Sequence, residues 1–402
     1  MNSVVAFVVV MLVWTVSDFV AKKTKSLLSS LFVASIIFLI GFLTNVFPDD
    51  LLASSSLLAL AGVVVGFIIV HLGTMISLDD FKKQWRTLLV GIAAVVGIAV
   101  FLLVAGLVFG GGVQPGEYGE VAAQPLDFVI AGVGAISGGT ISVIIIQEAA
   151  LGVGLTTVAI FPVLIVALQG LIGFPLTSVI LRREASRVKA QVRPGELSVD
   201  EAEEAATAST SRLPDAFRTT AGTLFVVGVV VLAAIGINNL TDGVLNTFVV
   251  ALIFGIALRT TGIFKPSVLA GIDSLGLMMI AILILVFGPL ATVELSDLAS
   301  LAVPLLLAFV CGLAGIAVFA AVTGKLVGYS VSMSIAIGLT ALFGFPGTMI
   351  LSQEAARGAG ESPEEVAAIE GQILPKMIVA GFSTVTITSV IVTSIIAGHI
   401  GR

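Results

Sequence analysis

The chain has 402 residues, of which 58% are hydrophobic and only 11% are charged, and its mean hydropathy is +1.18. Soluble domains contain about 25% charged residues, so this composition excludes an ordinary soluble protein. The formal net charge of −6 lies largely between the apolar runs and says little about a partner, and we expect no nucleic-acid partner.

Twelve apolar segments follow one another along the chain. Most have about 20 residues, enough to cross about 30 Å of hydrocarbon as a helix. They lack the alternation of apolar and polar residues that is typical of spanning β-strands, so the expected fold class is an all-α polytopic membrane protein. The first segment has no basic region and no cleavage site, so we expect a membrane helix there and not a removed signal. The segments are about 4–21, 29–47, 57–77, 87–109, 127–150 and 157–181 in the first half, and about 219–240, 244–263, 272–292, 299–322, 329–352 and 367–397 in the second.

One long polar stretch separates the two sets of six segments. It runs from Arg182 to Arg218 and contains several acidic residues among alanines, which is typical of a surface helix or a mobile linker. The sequence therefore predicts an N-terminal half (1–181), a linker (182–218) and a C-terminal half (219–402).

The distribution of charge predicts the orientation. Lysine and arginine are concentrated after the first, third and sixth segments, whereas the loops after the second and fourth segments are acidic. Because cytoplasmic loops carry the excess of lysine and arginine, we expect the N-terminus outside and the stretch 182–218 in the cytoplasm.

This orientation places residue 115 outside and Arg182 inside, although two apolar segments lie between them. One segment must therefore fail to cross. Segment 127–150 is interrupted by glycines, so we expect a re-entrant hairpin that enters and leaves on the outer side. The same reasoning predicts a hairpin from the inner side at 329–352. The expected architecture is an inverted repeat of two five-helix units, with ten crossings, two hairpins and both termini outside.

The interruptions in these two segments resemble each other. Each has a Gly-Thr break followed by Gln-Glu-Ala-Ala-x-Gly, with Gln147 seven residues after Thr140 and Gln353 five residues after Thr348. Paired interruptions in the two halves of a membrane protein indicate a transport site near the bilayer midplane. We expect Thr140 and Thr348 near the centre of one shared site, lined by Gln147 and Gln353.

The breaks also predict the chemistry of the site. Unpaired amides at the start of a half-helix can bind an anion without a buried lysine or arginine, and free carbonyls and hydroxyls suit Na⁺. Glu148 and Glu354 are ionisable groups in membrane segments, so they are candidates for binding an ion or transferring a proton. The alternative is that both are solvated carboxylates at the membrane interface. The alternative for the breaks is that glycine and proline merely kink two ordinary helices for close packing.

Three stretches resemble the bacterial sodium/glutamate symporters and, more distantly, the sodium-dependent citrate and 2-hydroxycarboxylate carriers. They are the Ser137–Thr140 break, the loop from Ser77 to Arg86 and the region from Gly338 to Ser394. The resemblance implies an elevator mechanism in a prokaryotic cell membrane. A transport domain that carries both hairpins would slide against a scaffold held in a homodimer, and would move Na⁺ together with a small carboxylate.

The first break of those symporters reads Ser-Gly-Gly-His-Gly-Thr, whereas here Thr140 directly follows Gly139. The substrate class is therefore expected to be a glutamate-like amino acid or a dicarboxylate or tricarboxylate. The residues predicted to bind substrate are Ser137, Gly138, Gly139, Thr140, Gly344, Phe345, Pro346, Gly347 and Thr348, and those predicted to bind or couple sodium are Ser142, Gln147, Glu148, Ser352, Gln353 and Glu354.

Other functional classes fit the sequence less well. A channel would not need inverted halves with paired breaks. A cation/proton antiporter usually needs carboxylates deep in the membrane, and here it would have to use Glu148 or Glu354. An enzyme is not expected, because the chain has no Walker loop and only two histidines. We expect no cofactor, only Na⁺ as the coupling ion.

Overall fold

The computed structural model describes residues 1–76, 78, 82, 84–109, 124–191, 212–214, 217–241, 245, 247–270, 272 and 274–401. Much of the predicted linker (192–211) and half of the Ser77–Arg86 loop lie outside this range, as do the side chains of Phe109, Thr140, Ile141, Thr386 and Ile387. The described residues form helices joined by turns and contain no strand.

Helices follow one another along both halves of the chain. In the first half they are α1 (Ser3–Lys23), α2 (Ser30–Leu43), α3 (Leu51–Ser54), α4 (Leu57–Met75), α5 (Trp85–Phe109), α6 (Pro125–Ile136), α7 (Thr140–Gly152) and α8 (Thr156–Gln191). In the second half they are α9 (Thr220–Leu240), α10 (Thr247–Thr260), α11 (Leu275–Phe287), α12 (Leu295–Ser300), α13 (Ala302–Leu326), α14 (Val331–Leu339), α15 (Gly344–Ala359), α16 (Pro363–Phe382) and α17 (Ser389–Ala397).

Within the described residues, eight helical stretches are long and apolar enough to cross a membrane. The prediction of a multi-span helical membrane protein is thereby confirmed. These stretches are Ser3–Lys23, Leu57–Met75, Trp85–Val108, Thr156–Gln191, Thr220–Leu240, Leu275–Thr292, Ala302–Leu326 and Pro363–Ala397.

Two of the ten expected crossings are shorter than predicted. Helices α2 and α10 have 14 residues each. At 1.5 Å per residue they are about 21 Å long, less than the roughly 30 Å of a hydrocarbon core. Both occupy the second position of their half, after α1 and α9 respectively.

Each of the two predicted interruptions divides its segment into two helices. Segment 127–150 consists of α6 and α7 with Ser137–Gly139 between them. Segment 329–352 consists of α14 and α15, joined by a 3₁₀ turn at Thr340–Leu342 and by Phe343. A third interruption was not predicted: a π-helical turn, Ser383–Thr388, separates α16 from α17. Its hydroxyl-rich sequence explains the turn, because serine and threonine side chains compete for backbone carbonyls.

The helices pack in two groups, defined here by the interruptions. The interrupted bundle contains α5–α8 and α13–α17, and the flanking group contains α1–α4 and α9–α11. In the interrupted bundle α5 crosses α13 at Gly97 and Gly315, where a β-carbon on Gly97 would lie 2.4 Å from the Gly315 carbonyl oxygen. In the flanking group α4 crosses α10 at Gly73 and Gly255, where a β-carbon on Gly73 would lie 2.9 Å from the Gly255 Cα. Small residues therefore set the closest helix contacts of both groups, as is common in membranes.

Candidate functional site

The break between α6 and α7 depends on two consecutive glycines. Gly138 and Gly139 have φ angles of +90° and +96°, a region that side-chain-bearing residues rarely adopt. A β-carbon on Gly138 would lie 2.2 Å from the Ala341 carbonyl oxygen, and one on Gly139 would lie 2.3 Å from the Val385 carbonyl oxygen. The sequence Gly-Gly is therefore required both by the backbone conformation and by the close approach of two other segments.

The break between α14 and α15 is built from Thr340 to Phe345. Gly344 has a φ of +53°, and the following Phe345 has an extended backbone (φ −79°, ψ 141°) inside the segment. A β-carbon on Gly344 would lie 3.0 Å from the Val385 side chain. Phe343 packs on Phe174 of α8, with ring centroids 5.3 Å apart.

Three interruptions from different parts of the chain meet at one place. Gly138 of the first break contacts Ala341 of the second, and both breaks contact Val385 of the π-helical turn. The Thr340 and Thr384 hydroxyls are 3.1 Å apart and connect the second break to this turn. We call this meeting point the junction, and define it as Ser137–Gly139, Thr340–Phe345 and Ser383–Thr388.

Two helices begin at the junction without a side-chain cap. Gly139, before α7, has no side chain that could accept a hydrogen bond, and Phe343, before α15, accepts none. Because Phe345 is non-helical, the regular part of α15 begins at Pro346, which has no N–H, so its free amides start at Gly347. The first amides of a helix have no partner within that helix, and together they carry a partial positive charge. The junction therefore offers two sets of backbone donors that can take an anion.

Buried hydroxyls without a partner lie on the helices that meet at the junction. For Ser142 Oγ on α7 and Thr348 Oγ1 on α15, no described residue offers a hydrogen bond. Each of these two residues lies five positions before a Gln-Glu-Ala-Ala sequence, so Ser142 and not Thr140 is the equivalent of Thr348. A buried hydroxyl with no partner costs about 1–3 kcal/mol and calls for an explanation such as a bound ion. The other hydroxyls in this condition on neighbouring helices are those of Thr177 on α8 and Thr393 on α17.

The structure places most predicted substrate residues at or beside the junction. Phe345 is half-buried and stacks on Phe382, with ring centroids 5.7 Å apart. The side chain of Thr140 lies outside the described residues, so its predicted central role stays a prediction. The buried members of the predicted set are Ser137, Gly138, Gly344, Pro346, Gly347 and Thr348.

The glutamines and glutamates of the motif make contacts elsewhere. Gln353 Nε2 donates to Glu370 Oε1 on α16 at 3.1 Å. Glu354 Oε1 accepts hydrogen bonds from the backbone N–H and the hydroxyl of Ser30, at the start of α2. Glu148 is exposed and Gln147 is half-buried. Among the described contacts none joins Gln147 to Gln353, so their shared lining of the site also stays a prediction.

Both ends of the α6–α7 segment lie beside Gly401. The backbone N–H of Gly401 donates to Asp127 Oδ1, near the start of α6, at 2.8 Å. A β-carbon on Gly401 would lie 3.0 Å from Val153, which directly follows α7. The segment therefore begins and ends at one place.

Both ends of the α14–α15 segment lie beside the last turns of α8. The Ser330 hydroxyl donates to Glu184 Oε2 at 2.6 Å, just before α14. Lys189 Nζ donates to Glu361 Oε1 at 2.7 Å, just after α15. Glu184 and Lys189 are about 8 Å apart along the helix, so this segment also begins and ends at one place.

Sequence reasoning missed the contribution of α8 and of the π-helical turn. In α8, Gln169, Gly173 and Thr177 recur every four residues on one face, and Gly173 contacts Phe343. In the π-helical turn, a run of hydroxyl residues interrupts an otherwise apolar segment. Both patterns are visible in the sequence, but neither contains the paired Gly-Thr break from which the site was predicted.

No model of a known protein family matches the chain, and no curated protein matches it significantly.

Proposed function

We propose that this protein is a secondary transporter whose substrate and coupling-ion site is the junction. The observation that carries the proposal is the meeting of two uncapped helix starts, α7 and α15, with partnerless buried hydroxyls on the same two helices. Irregular backbone at membrane depth is tolerated where it lines a cavity or a binding site. Discontinuous helices are the usual device of transporter sites.

Re-entrant hairpins are the simplest interpretation of the two interrupted segments. Each segment begins and ends at one place, at Gly401 for α6–α7 and at Glu184–Lys189 for α14–α15. Helix α8 starts close to the first of these places and ends at the second, and its 36 residues extend about 54 Å. The mouths of the two hairpins therefore lie at opposite ends of α8, as in an inverted repeat.

Pairs of equivalent elements support the inverted repeat. Helices α5 and α13 hold the same position in their halves, and they cross at Gly97 and Gly315. The short helices α2 and α10 are equivalent in the same way, as are Ser142 and Thr348. In an inverted repeat the two halves are related by a pseudo-two-fold axis, so two equivalent breaks close to that axis would lie together.

The chemistry of the junction favours an anion together with a small hard cation. Backbone amides at the starts of α7 and α15 would bind the carboxylate of the substrate. The hydroxyl oxygens of Ser142 and Thr348 and freed carbonyls would bind Na⁺. The substrate class is a small carboxylate, either a glutamate-like amino acid or a dicarboxylate or tricarboxylate, and Na⁺ would enter with it.

The two groups of helices suit an elevator movement. The interrupted bundle would carry the site, and the flanking group would remain fixed, held in a homodimer. Polar contacts between them are concentrated at the α1–α2 turn, where Ser178 donates to the Ser26 carbonyl and Ser30 donates to Glu354. A small set of contacts at one end can be broken when the bundle slides.

Transport into liposomes tests this function. Purified protein would be reconstituted in liposomes without internal sodium, and uptake of labelled glutamate, aspartate, malate, succinate and citrate would be followed. We expect an inward Na⁺ gradient, and not a proton gradient, to drive uptake of one of these acids. Liposomes without protein are the first control. Uptake of no acid under either gradient would contradict the proposal.

A cation/proton antiporter is the second candidate, and Glu354 is the observation that favours it. One oxygen of this carboxylate is buried without a partner, and the side chain borders a cavity of about 330 Å³ that also contains Asp18 and Lys25. In the same liposomes, an antiporter would alkalinise the interior when external Na⁺ is added without any organic acid, because protons leave as Na⁺ enters. Loss of that signal in a Glu354→Gln variant would favour this candidate over the symporter.

A further inference from the structure

A second polar cavity lies on another side of the interrupted bundle, at the start of α5. Its volume is about 470 Å³, within the range of small-molecule sites. We propose that it binds a phosphate-class anion, supplied either by a phospholipid headgroup or by soluble phosphate. The residues that line it are Gln84, Trp85, Arg86, Tyr329, Gly371, Gln372, Pro375 and Lys376.

Two cations face this cavity from different helices. Arg86 lies on α5, and its described contact is with the Trp85 ring, 5.7 Å from the guanidinium carbon. Lys376 lies on α16 and donates to the Gln372 carbonyl at 2.7 Å, which leaves two of its three ammonium donors for a ligand. No described carboxylate forms an ion pair with either cation. Two like charges on one cavity repel each other, and a bridging anion would relieve that repulsion.

The acid that acts on Lys376 is occupied elsewhere. Glu184 of α8 is a charged neighbour of Lys376 but makes no described contact with it. Its carboxylate oxygens accept a hydrogen bond from Ser330 at 2.6 Å and lie 3.6 Å from Arg187. Glu184 therefore does not fill the cavity, and the cations remain available.

The uncharged groups of the lining are mainly hydrogen-bond donors. The side-chain oxygen of buried Gln84 accepts from Thr87 at 2.7 Å, so its amide nitrogen remains a donor. The Tyr329 hydroxyl is held by Thr87 at 2.9 Å, which fixes its ring as a wall of the cavity beneath Lys376. The indole nitrogen of Trp85 is a further donor. Phosphate oxygens are acceptors only, so this lining suits a phosphate better than a neutral or cationic ligand.

The position of the cavity favours a lipid headgroup as the source. Trp85 is the first residue of a membrane-spanning stretch and is 53% exposed, as expected of a side chain at the membrane–water interface. The charge distribution predicts that this end of α5 is cytoplasmic. Basic pockets between helices on that side bind anionic headgroups.

A bound anion would connect three parts of the interrupted bundle, namely the start of α5, Tyr329 before α14 and the middle of α16. Its binding should therefore raise the melting temperature of the protein, whether or not the protein transports anything. The inference does not rest on the proposed function.

The test compares lipids and variants in detergent. The melting temperature and the bound lipid, counted by native mass spectrometry, would be measured with phosphatidylglycerol, with phosphatidylcholine of the same chains and with inorganic phosphate. We expect phosphatidylglycerol to stabilise the wild type and phosphatidylcholine not to. In a double variant, Arg86→Gln with Lys376→Gln, the apparent affinity for phosphatidylglycerol should fall at least tenfold.

A steric variant keeps the test independent of charge and folding. A β-carbon on Gly371 meets no atom within 4 Å, so Gly371→Leu fills the cavity while both cations remain. Leucine also favours a helix more than glycine does, so this variant should fold. We expect it to lose the stabilisation by phosphatidylglycerol.

Matched controls complete the design. Gly62→Leu places the same side chain at another exposed helical glycine with open space. Lys23→Gln with Arg183→Gln also removes one lysine and one arginine charge, but from exposed positions outside the cavity. Both controls should respond to phosphatidylglycerol as the wild type does.

Each outcome has a definite meaning. Stabilisation by inorganic phosphate equal to that by phosphatidylglycerol would support the site and identify a soluble anion as its ligand. Equal responses to both lipids with no response to phosphate would overturn the inference. The inference would also be overturned if phosphatidylglycerol stabilised the Gly371→Leu variant as much as the wild type. The same holds if the apparent affinity of the charge control for phosphatidylglycerol fell as far as that of the Arg86→Gln, Lys376→Gln variant.

Discussion

Ser142 and Thr348 hold equivalent places in the two interrupted segments, and each has a buried hydroxyl without a hydrogen-bond partner among the described residues. By contrast, the neighbouring Thr340 hydroxyl donates to the Ile337 carbonyl at 2.7 Å and lies 3.1 Å from Thr384. The hydroxyls near the junction thus fall into two kinds, those that are hydrogen-bonded within the protein and those that have no partner among the described residues.

We predict that Ser142→Ala and Thr348→Val weaken sodium binding without destabilising the protein. Removing a buried hydroxyl that has no partner breaks no hydrogen bond and removes a group that is costly to bury, so the melting temperature without Na⁺ should equal or exceed that of the wild type. If each oxygen is a ligand of Na⁺, the sodium concentration for half-maximal uptake should rise about tenfold, which corresponds to about 1.4 kcal/mol. Uptake in liposomes at varied Na⁺ measures the change.

Thr340→Val is the matched control for this pair. It should lower the melting temperature, because it leaves the buried hydroxyl of Thr384 without one of its partners. Unchanged sodium dependence in both Ser142→Ala and Thr348→Val would contradict the placement of Na⁺ between these helices.

We predict that Gly138→Ala abolishes uptake, and that its effect is specific to the junction. An alanine there requires a φ of +90° and places a β-carbon 2.2 Å from the Ala341 carbonyl oxygen, so the two breaks must separate. Gly152→Ala at the other end of α7 meets no atom within 4 Å and should transport normally. Normal uptake by Gly138→Ala would show that close contact of the breaks is unnecessary.

The residues of the two breaks could be selected from the sequence because glycine, proline and threonine are unusual inside an apolar run. Which hydroxyls are free could not be selected in this way. Ser142 and Ser352 look alike in sequence, yet the Ser352 hydroxyl donates to the Thr348 carbonyl at 2.6 Å and the Ser142 hydroxyl has no described partner. That difference depends on rotamers and on neighbouring helices, which no local pattern records.

At the scale of elements, hydropathy predicts the long helices well because a span of about 20 apolar residues has few other solutions in a membrane. It overestimates α2, whose predicted segment 29–47 ends as a helix at Leu43. It also misses the π-helical turn at Ser383–Thr388, because an average over about 20 residues conceals a hydroxyl-rich run of only six. Length and average hydropathy thus predict that a segment is in the membrane, and not how its backbone is hydrogen-bonded.

We predict that both ends of each interrupted segment are accessible from one side of the membrane only. In a Cys311→Ser background, single cysteines at Leu126 and Val153 should react with an impermeant maleimide added outside. Single cysteines at Ser330 and Glu361 should react only when the reagent is inside. The reason is that each segment begins and ends beside the same residues.

Labelling of Leu126→Cys and Val153→Cys from opposite sides would contradict the hairpin and favour an ordinary kinked crossing. Oriented vesicles with the reagent on either side provide the measurement. The cysteine-free Cys311→Ser protein shows the background, since Cys311 is the single cysteine of the chain.

At the scale of the whole molecule, the elevator proposal requires the interrupted bundle to move past the α1–α2 turn. A β-carbon on Gly358 of α15 would lie 3.4 Å from Ser26 Cβ in that turn, close to the separation in a disulfide. It would also lie 2.8 Å from the Lys25 carbonyl oxygen, so the reduced double variant, and not the wild type, is the reference for uptake. We predict that a Ser26→Cys, Gly358→Cys pair, once oxidised, arrests uptake and that reduction restores it.

The matched control joins two helices that should move together. A β-carbon on Gly132 of α6 would lie 3.7 Å from Ala308 Cβ of α13, and both helices belong to the interrupted bundle. Oxidised Gly132→Cys, Ala308→Cys protein should therefore retain uptake. Both pairs would be made in the Cys311→Ser background. Full uptake with the Ser26–Gly358 disulfide in place would exclude sliding at this boundary.

The shortness of α2 and α10 has a consequence for the surrounding lipid. A helix of about 21 Å in a hydrocarbon layer of about 30 Å creates a hydrophobic mismatch, which the bilayer relieves by thinning beside it. Thinning costs less when the acyl chains are short. We therefore expect the uptake rate to fall as the liposome chains lengthen from 14 to 22 carbons, at constant headgroup composition. The two short helices would thus make the proposed transport rate depend on membrane thickness, and the same protein would work at different rates in membranes of different chain length.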